Sequence, residues 1–195
     1  MQMRFAQAAD SDAVWRLIAR VVDTSYATVY SPRALDLFRR YHSRASVADR
    51  IANGLVLLVE HEGRLVGTGT LLDGVILGVF VSPEGQGGGT GTAIMDALEY
   101  EARAIGLTRV ELGASLTALD FYIRRGYTLR TKVTMDAGEG EHLDYYPADK
   151  VLAGENALTN LTNNQPAEEV SAEDAAERRT ERATASAGGR GARHG

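Results

Sequence analysis

The sequence predicts an α/β (α+β) fold: a mixed, mostly antiparallel central sheet flanked by helices. Apolar residues recur at helical spacing before residue 53, and three β-prone runs joined by short glycine-containing turns occupy residues 55–81. Helix and strand patterns then alternate to about residue 146. Consecutive hairpin strands followed by strand–helix–strand units require antiparallel pairing plus a crossover, hence a mixed sheet.

Met3 to Ala6 reads as a short first strand, and Ala8-Ala9-Asp10-Ser11-Asp12 supplies a turn with N-cap residues for a helix. Val14, Trp15, Ile18, Val21 and Val22 give that helix a face to bury. A turn at Ser31-Pro32 precedes a second amphipathic pattern of Ala34, Leu35, Phe38 and Tyr41, and Ala45 to Asn53 continues as a short helix stopped by Gly54. Leu55 to Val59, Leu65 to Leu72 and Ile76 to Val81 are strands linked through Glu62-Gly63 and Asp73-Gly74, so they pair antiparallel in sequence order. Ile94, Leu98, Ala102 and Ile105 form one stripe of the next helix, with Gly106 beyond its end. Val110 and Leu112 mark a strand, Leu116 to Arg124 a helix stopped at Gly126, and Tyr127 to Met135 a further strand. After an Asp136 to Glu141 loop, His142 to Tyr146 is expected as a last edge strand before Pro147.

With 195 residues, 44% hydrophobic and 24% charged, the chain suits one domain with a core and a tail. The domain is placed at 1–152 and a polar tail at 153–195. Beyond about Leu161 the composition is rich in Asn, Ala, Glu and Arg; Ala167 to Ala187 favours helix locally but has too little apolar surface to pack, so disorder is expected, ending in Gly188-Gly189-Arg190-Gly191. The lack of cysteine removes disulfides, thiolate metal ligands and a thiol nucleophile. His42 and His61 stand in no metal-ligand spacing, so no metal is assigned. A net charge of −5 with no run of Lys or Arg argues against nucleic acid as a partner. No apolar run reaches bilayer-spanning length, and the N-terminus turns polar at Gln7 and acidic at Asp10, unlike a signal peptide; no membrane partner is expected and cytoplasmic is the default location.

The stretch Val79-Phe80-Val81-Ser82-Pro83-Glu84-Gly85-Gln86-Gly87-Gly88-Gly89-Thr90-Gly91 runs from a strand through glycines into a helix. A helix start carries N–H groups without intrahelical partners and the positive end of the helix dipole, and glycines let an anion approach them closely. Thr90 and Thr92 add hydroxyls. Taken alone the glycines also suit a plain surface loop. The Lys-Ser/Thr ending of a P-loop and the GxGxxG spacing of a dinucleotide site are both missing.

This segment resembles the coenzyme A motif of the GCN5-related N-acetyltransferase (GNAT) family, Gln/Arg-x-x-Gly-x-Gly/Ala, with Gln86, Gly89 and Gly91 at its fixed positions. Val79 to Pro83 is similar to the strand and proline that precede it. Downstream, Ala118, Phe121, Tyr122, Gly126 and Tyr127 resemble the family's Ala-x-x-Phe-Tyr-x-x-x-Gly-(Phe/Tyr) segment. The resemblance extends in organisation from Met3 to about Lys150. The chain departs from the family twice: Gly87 and Gly88 stand where a basic residue is frequent, and Ser115 is the nearest polar residue to the asparagine often found after the downstream strand.

The resemblance implies acetyl-CoA as acyl-donor cosubstrate and acetyl transfer, in a ternary complex, to a primary amine of a small molecule or protein. It implies a splayed central strand whose backbone at Val79, Phe80 and Val81 pairs with the pantetheine arm. Gln86, Gly87, Gly88, Gly89, Thr90, Gly91 and Thr92 become the diphosphate cradle. Tyr122 becomes the general acid for the departing sulfur, since a phenol keeps its proton near neutral pH; a purely structural tyrosine is the alternative. The amine must lose its proton before it attacks, through a base or a water chain. Glu60, Asp73, Glu111, His142 and Asp144 lie near strand ends or in loops, and nothing in the sequence selects one of them. Tyr26, Tyr30, Phe38 and Tyr41 are expected along the acceptor channel, and Tyr145 and Tyr146 at its rim, with core packing as the alternative. A non-catalytic acyl-CoA binding module and an interaction protein recruiting partners through the tail stay open, as does a homodimer.

Overall fold

Residues 1–152 are described in a computed structural model; the tail read above lies outside them. From the N-terminus, β1 (Gln2–Phe5) leads into α1 (Ser11–Thr24), α2 (Pro32–Tyr41) and α3 (Arg44–Asn53). There follow β2 (Leu55–His61), β3 (Arg64–Leu72), β4 (Val75–Val81), α4 (Thr90–Ala104), β5 (Arg109–Ser115) and α5 (Leu119–Arg124). The chain then forms β6 (Thr128–Leu129), β7 (Val133–Gly138) and β8 (Glu141–Val151). Local chemistry sets several boundaries: Ser31 and Ser43 accept from the Ala34 and Ser46 N–H groups as N-caps of α2 and α3, and Pro32 occupies the first turn of α2.

The strands form one sheet in the order β1-β2-β3-β4-β5-β8-β6, with β7 also paired to β8. All pairings are antiparallel except β4 with β5. The mixed, mostly antiparallel sheet flanked by helices read from the sequence is therefore the observed fold. Both faces are covered, so alternate residues of β2 enter different cores: Leu57 and Val59 pack with Ile94, Met95 and Leu98 of α4, whereas Val56 and Leu58 pack with Val14, Ile18 and Val47 of α1 and α3. Ile94, Met95 and Leu98 are fully enclosed, a burial of about 2 kcal/mol each. Two glycines make this contact close: a Cβ at Gly67 would stand 2.9 Å from Ile94 Cδ1, and one at Gly69 only 2.6 Å from Ile94 Cγ2. α4 thus rests directly on β3 and is fixed in depth against the sheet.

Several boundaries differ from the sequence reading. Ile105, expected on the buried stripe, is 62% exposed because α4 ends at Ala104 and the chain turns away through Gly106 at φ +84°. The single strand expected from Tyr127 to Met135 is split into β6 and β7, while the expected edge strand is the long β8, lying between β5 and β6 and passing through Pro147. Pro147 explains the split. Its carbonyl accepts from Arg130 N–H at 2.8 Å, but it has no N–H to return the bond, and the partner strand breaks at residues 130–132. β7 continues to Gly138, so the expected Asp136 to Glu141 loop shrinks to a turn at Glu139-Gly140.

One irregularity positions the site. Thr70 faces Leu77 and Thr68 faces Phe80, so two β4 residues, Gly78 and Val79, oppose the single Gly69 of β3. Gly78 takes φ +56° at this bulge. Across from it, β5 pairs with β4 at only two positions, Val75↔Glu111 and Ile76↔Leu112. Beyond Ile76 the two strands diverge, and β5 follows β8 instead.

Candidate functional site

The divergence leaves backbone groups of β4 without a strand partner. Ser82 N–H donates to Val66 O at 2.8 Å, which sets the phase: Phe80 and Ser82 turn their backbone toward β3, and Val79 and Val81 turn theirs toward the split. Of the three β4 residues singled out from the sequence, Phe80 differs from its neighbours. Its side chain is 3% exposed, and its ring meets Tyr26 at 5.7 Å and His42 at 4.9 Å between centroids.

At the end of β4 the chain enters the glycine turn. The first helical bond across the start of α4 runs from Ala93 N–H to Gly89 O, and among the described residues the six N–H groups from Gly87 to Thr92 find no acceptor in the chain. Gly87 and Gly89 take φ +77° and +82°, values that suit glycine. A Cβ on Gly87, Gly88 or Gly89 would meet nothing within 4 Å, so the turn is open on the side where these donors gather. Gln86 closes its base, donating from its side-chain amide to Val81 O at 3.0 Å and to Ser25 Oγ at 3.4 Å. Gly91 abuts the Phe121 ring at 3.5 Å from its Cβ position, which brings the second motif against the first. The two threonines part company: Thr90 is buried with its methyl group against Gly67, while Thr92 reaches an adjoining pocket.

That pocket, a cavity of about 380 Å³ lined by Thr92, Phe121, Arg124, Arg125 and Lys150, was not found by sequence reasoning. Its cations are held from behind. Buried Glu99 of α4 accepts from Lys150 Nζ at 2.7 Å, from Arg125 Nη2 at 3.2 Å and from Tyr127 Oη at 3.2 Å, and Asp96 takes a second bond from Arg125 at 2.7 Å. Arg124 is exposed and joins no ion pair among the described residues. The Arg124-Arg125 pair, separated from Tyr122 by Ile123, was a legible signal; Lys150 arrives only through β8.

Tyr122 is 6% exposed and shares an apolar cluster with Val79, Val81 and Phe121, which sets it beside the split. Burial pushes its phenol up, the proximity of Tyr26 adds to the rise and Arg125 opposes it, so the hydroxyl is a protonated donor at neutral pH. Around it the α1–α2 connection is tied to the end of β5. Ser115 Oγ donates to Tyr26 Oη at 3.2 Å and lies 2.9 Å from Thr117 Oγ1, while Tyr30 Oη accepts from Leu116 N–H at 2.7 Å and donates to Asp144 O at 3.0 Å. Burial also raises the Tyr26 phenol. Tyr26, Tyr30 and Phe38 are brought together, with ring centroids 4.9 to 5.9 Å apart. Tyr41 instead lies over the Arg50 guanidinium, with its centroid 5.0 Å from Cζ, and is 57% exposed. Tyr145 and Tyr146 are half-buried against opposite cores.

The acid–base candidates are dispersed. Glu60 binds Arg4, Asp73 sits in the β3–β4 turn at φ +48°, and Glu111 and His142 are exposed. Asp144 is engaged by Lys132 at 2.8 Å and Thr134 at 2.6 Å, which hold its carboxyl below the usual range.

Comparison with known proteins follows the same geometry. Residues 26–142 match the acetyltransferase (GNAT) domain. No curated protein matches the sequence. Among solved structures, a GCN5-related N-acetyltransferase from Rhodopseudomonas palustris is similar at 26% identity over 77% of this chain and 95% of that one, with a TM-score of 0.70. The PaiA N-acetyltransferase of Thermoplasma acidophilum, solved with coenzyme A, shares the fold at 16% identity over 77% of this chain and 99% of that one, TM-score 0.61. YncA of Salmonella typhimurium, solved with its cofactor acetyl-CoA, shares it at 20% identity over 88% of this chain and 99% of that one, TM-score 0.55. With a split central sheet, an open glycine turn and a family match over more than half its length, the chain belongs to the GCN5-related N-acetyltransferase family.

Proposed function

We propose that the protein is an N-acetyltransferase that moves the acetyl group of acetyl-CoA directly to a primary amine of a small molecule or protein within a ternary complex. The observation that carries this reading is the placement of six acceptor-less N–H groups at the mouth of the β4–β5 split, with Tyr122 beside the same split. Such donors at a helix start suit a diphosphate, and the outward backbone of Val79 and Val81 suits an extended amide-bearing arm laid along β4 as an added strand. Gln86 braces the turn between these two regions.

Acetyl-CoA, when bound, would supply the activated thioester. The chain's part is to hold it and to move protons. An N–H on the outward edge of β4 stabilises the oxygen as charge develops on it. Tyr122 donates its phenolic proton to the departing sulfur. Arg124, with Arg125 and Lys150 held by Glu99, takes the phosphorylated ribose beyond the diphosphate, supplying the positive charge that Gly87 and Gly88 do not.

The test is thiol release from acetyl-CoA in the presence of pooled amines, with mass analysis of the product that gains an acetyl group, run on wild type and Tyr122→Phe. Turnover by the wild type with a large loss of kcat and near-normal acetyl-CoA affinity in Y122F is expected. Binding without transfer across the panel would assign a non-catalytic acyl-CoA module instead, and folded protein that neither binds nor transfers ends the reading.

A further inference from the structure

Arg50 of α3 is a buried cation without a carboxylate. It is 7% exposed, and among the described residues its guanidinium forms no ion pair. Its partners are neutral: Nη1 bonds His42 Nδ1 at 2.8 Å, Nη2 donates to Tyr41 O at 3.1 Å, and the Tyr41 ring centroid lies 5.0 Å from Cζ. Asp49, its neighbour in sequence, is exposed and accepts from the Asn53 amide instead. A guanidinium keeps its charge in a protein and carries five N–H donors, of which those two bonds use only part. A charge held away from water with no opposite charge beside it is costly, so Arg50 calls for an anion.

A cavity of about 10 Å³ adjoins it, lined by Arg50, Thr68, Thr70, Gly78 and aliphatic side chains of α1, α3 and β2. Gly78 stands at the β4 bulge, and its Cβ position would lie 3.3 Å from Arg50 Nη1, which puts the charged end of Arg50 at the cavity wall. Thr68 and Thr70 are two apart on β3 and share the face that lines the cavity. Thr68 is 1% exposed, and its Oγ1 has no hydrogen-bond partner among the described residues. Two independent deficits, an unbalanced cation and an unbonded hydroxyl, therefore meet at one cavity. Both groups can donate, so a single negatively charged acceptor satisfies them together.

Size selects the ligand. A space of this volume holds one particle of roughly the size of a water molecule, which leaves no room for a carboxylate, phosphate or sulfate group. A water would satisfy Thr68 but leave the Arg50 charge unbalanced, whereas a monatomic, monovalent anion answers both. We propose that the cavity between α3 and the β4 bulge is a halide site, in which Arg50 and Thr68 donate to one chloride ion. The ion ties α3 to β3 beside the bulge that turns Val79 and Val81 toward the split. Binding there requires neither acetyl-CoA nor Tyr122.

The experiment dialyses the full chain into potassium gluconate and compares its melting with that in potassium chloride and potassium bromide at equal ionic strength. Crystals grown from bromide are measured at the bromine absorption edge. Chloride is expected to raise Tm saturably over gluconate, by about 5 °C at roughly a hundredfold excess over its dissociation constant. Thr68→Val is expected to weaken chloride binding about tenfold, the value of one hydrogen bond to a charged group, and Arg50→Met to abolish the chloride-dependent rise. Bromide is expected as an anomalous peak between Arg50 and Thr68. Equal melting in chloride and gluconate, or a map with no bromide peak in the cavity, overturns the halide and leaves water as the occupant. A folded T68V that keeps the wild-type chloride response also overturns the site, because the ion then acts elsewhere on the molecule. If R50M does not fold, T68V and the bromide map decide between these outcomes.

Discussion

The side-chain amide of Gln86 donates to the Val81 carbonyl at 3.0 Å, joining the last residue of the splayed strand to the turn that opens α4. Without that bond, Val81 O would face the split unpaired, and the turn from residue 86 onward would lose this side-chain tie to β4.

Replacing Gln86 by Leu should therefore weaken acetyl-CoA binding about fivefold, the value of one net hydrogen bond, with little change in thermal stability because Gln86 is exposed. Gln86→Glu should be worse, since its carboxylate repels both the Val81 carbonyl and the phosphates. Calorimetric titration beside a melting curve checks both; wild-type affinity in the two variants would remove Gln86 from the site.

The basic pocket predicts selectivity for the 3′-phosphate of coenzyme A. Arg124 is exposed and unpaired among the described residues, so Arg124→Ala costs the fold little. Wild type should bind coenzyme A about tenfold more tightly than its 3′-dephospho form, and R124A should narrow that preference. Equal affinities in the wild type would show that the phosphate lies elsewhere.

His42 predicts a pH dependence of stability. Its Nδ1 accepts from Arg50 Nη1 at 2.8 Å, so the folded state holds a neutral ring, and burial together with the Arg50 charge pushes it down from 6.5 to about 3. The unfolded chain takes up this proton near 6.5 and the folded chain only near 3. Between those values the unfolded state binds more protons, so stability is full above 6.5 and declines as pH falls toward 3. His42→Asn keeps an acceptor for Arg50 and removes the titration. Urea midpoints near neutral pH and at about pH 4 should fall less in H42N than in wild type; equal falls would place the acid sensitivity in other groups.

The sequence was most legible where chemistry is local. Ser31-Pro32 and Gly54 bound helices as read, and the Glu62-Gly63 and Asp73-Gly74 turns set three antiparallel strands in order. It was least legible around β8. Its apolar signal is weak and Pro147 argues against an interior strand, yet it lies between β5 and β6, because the proline carbonyl still accepts and the break falls on the neighbouring strand. Gly67 and Gly69 carried a signal of close helix approach that their neighbourhood in a strand does not by itself reveal.

By itself the sequence determined the fold class and the strand-to-helix glycine turn, since each depends on residue type and spacing along the chain, while the link of Gln86, Gly89 and Gly91 to the later Tyr122 came from the family resemblance. Only the tertiary structure decided what surrounds them. The Gly78 bulge turns Val79 and Val81 toward the split, Ser115 meets Tyr26 across 89 residues, and Lys150 meets Glu99 across 51. Such contacts arise where strands diverge and helices cross, and hydrogen bonds between distant segments leave no periodic mark on either segment alone.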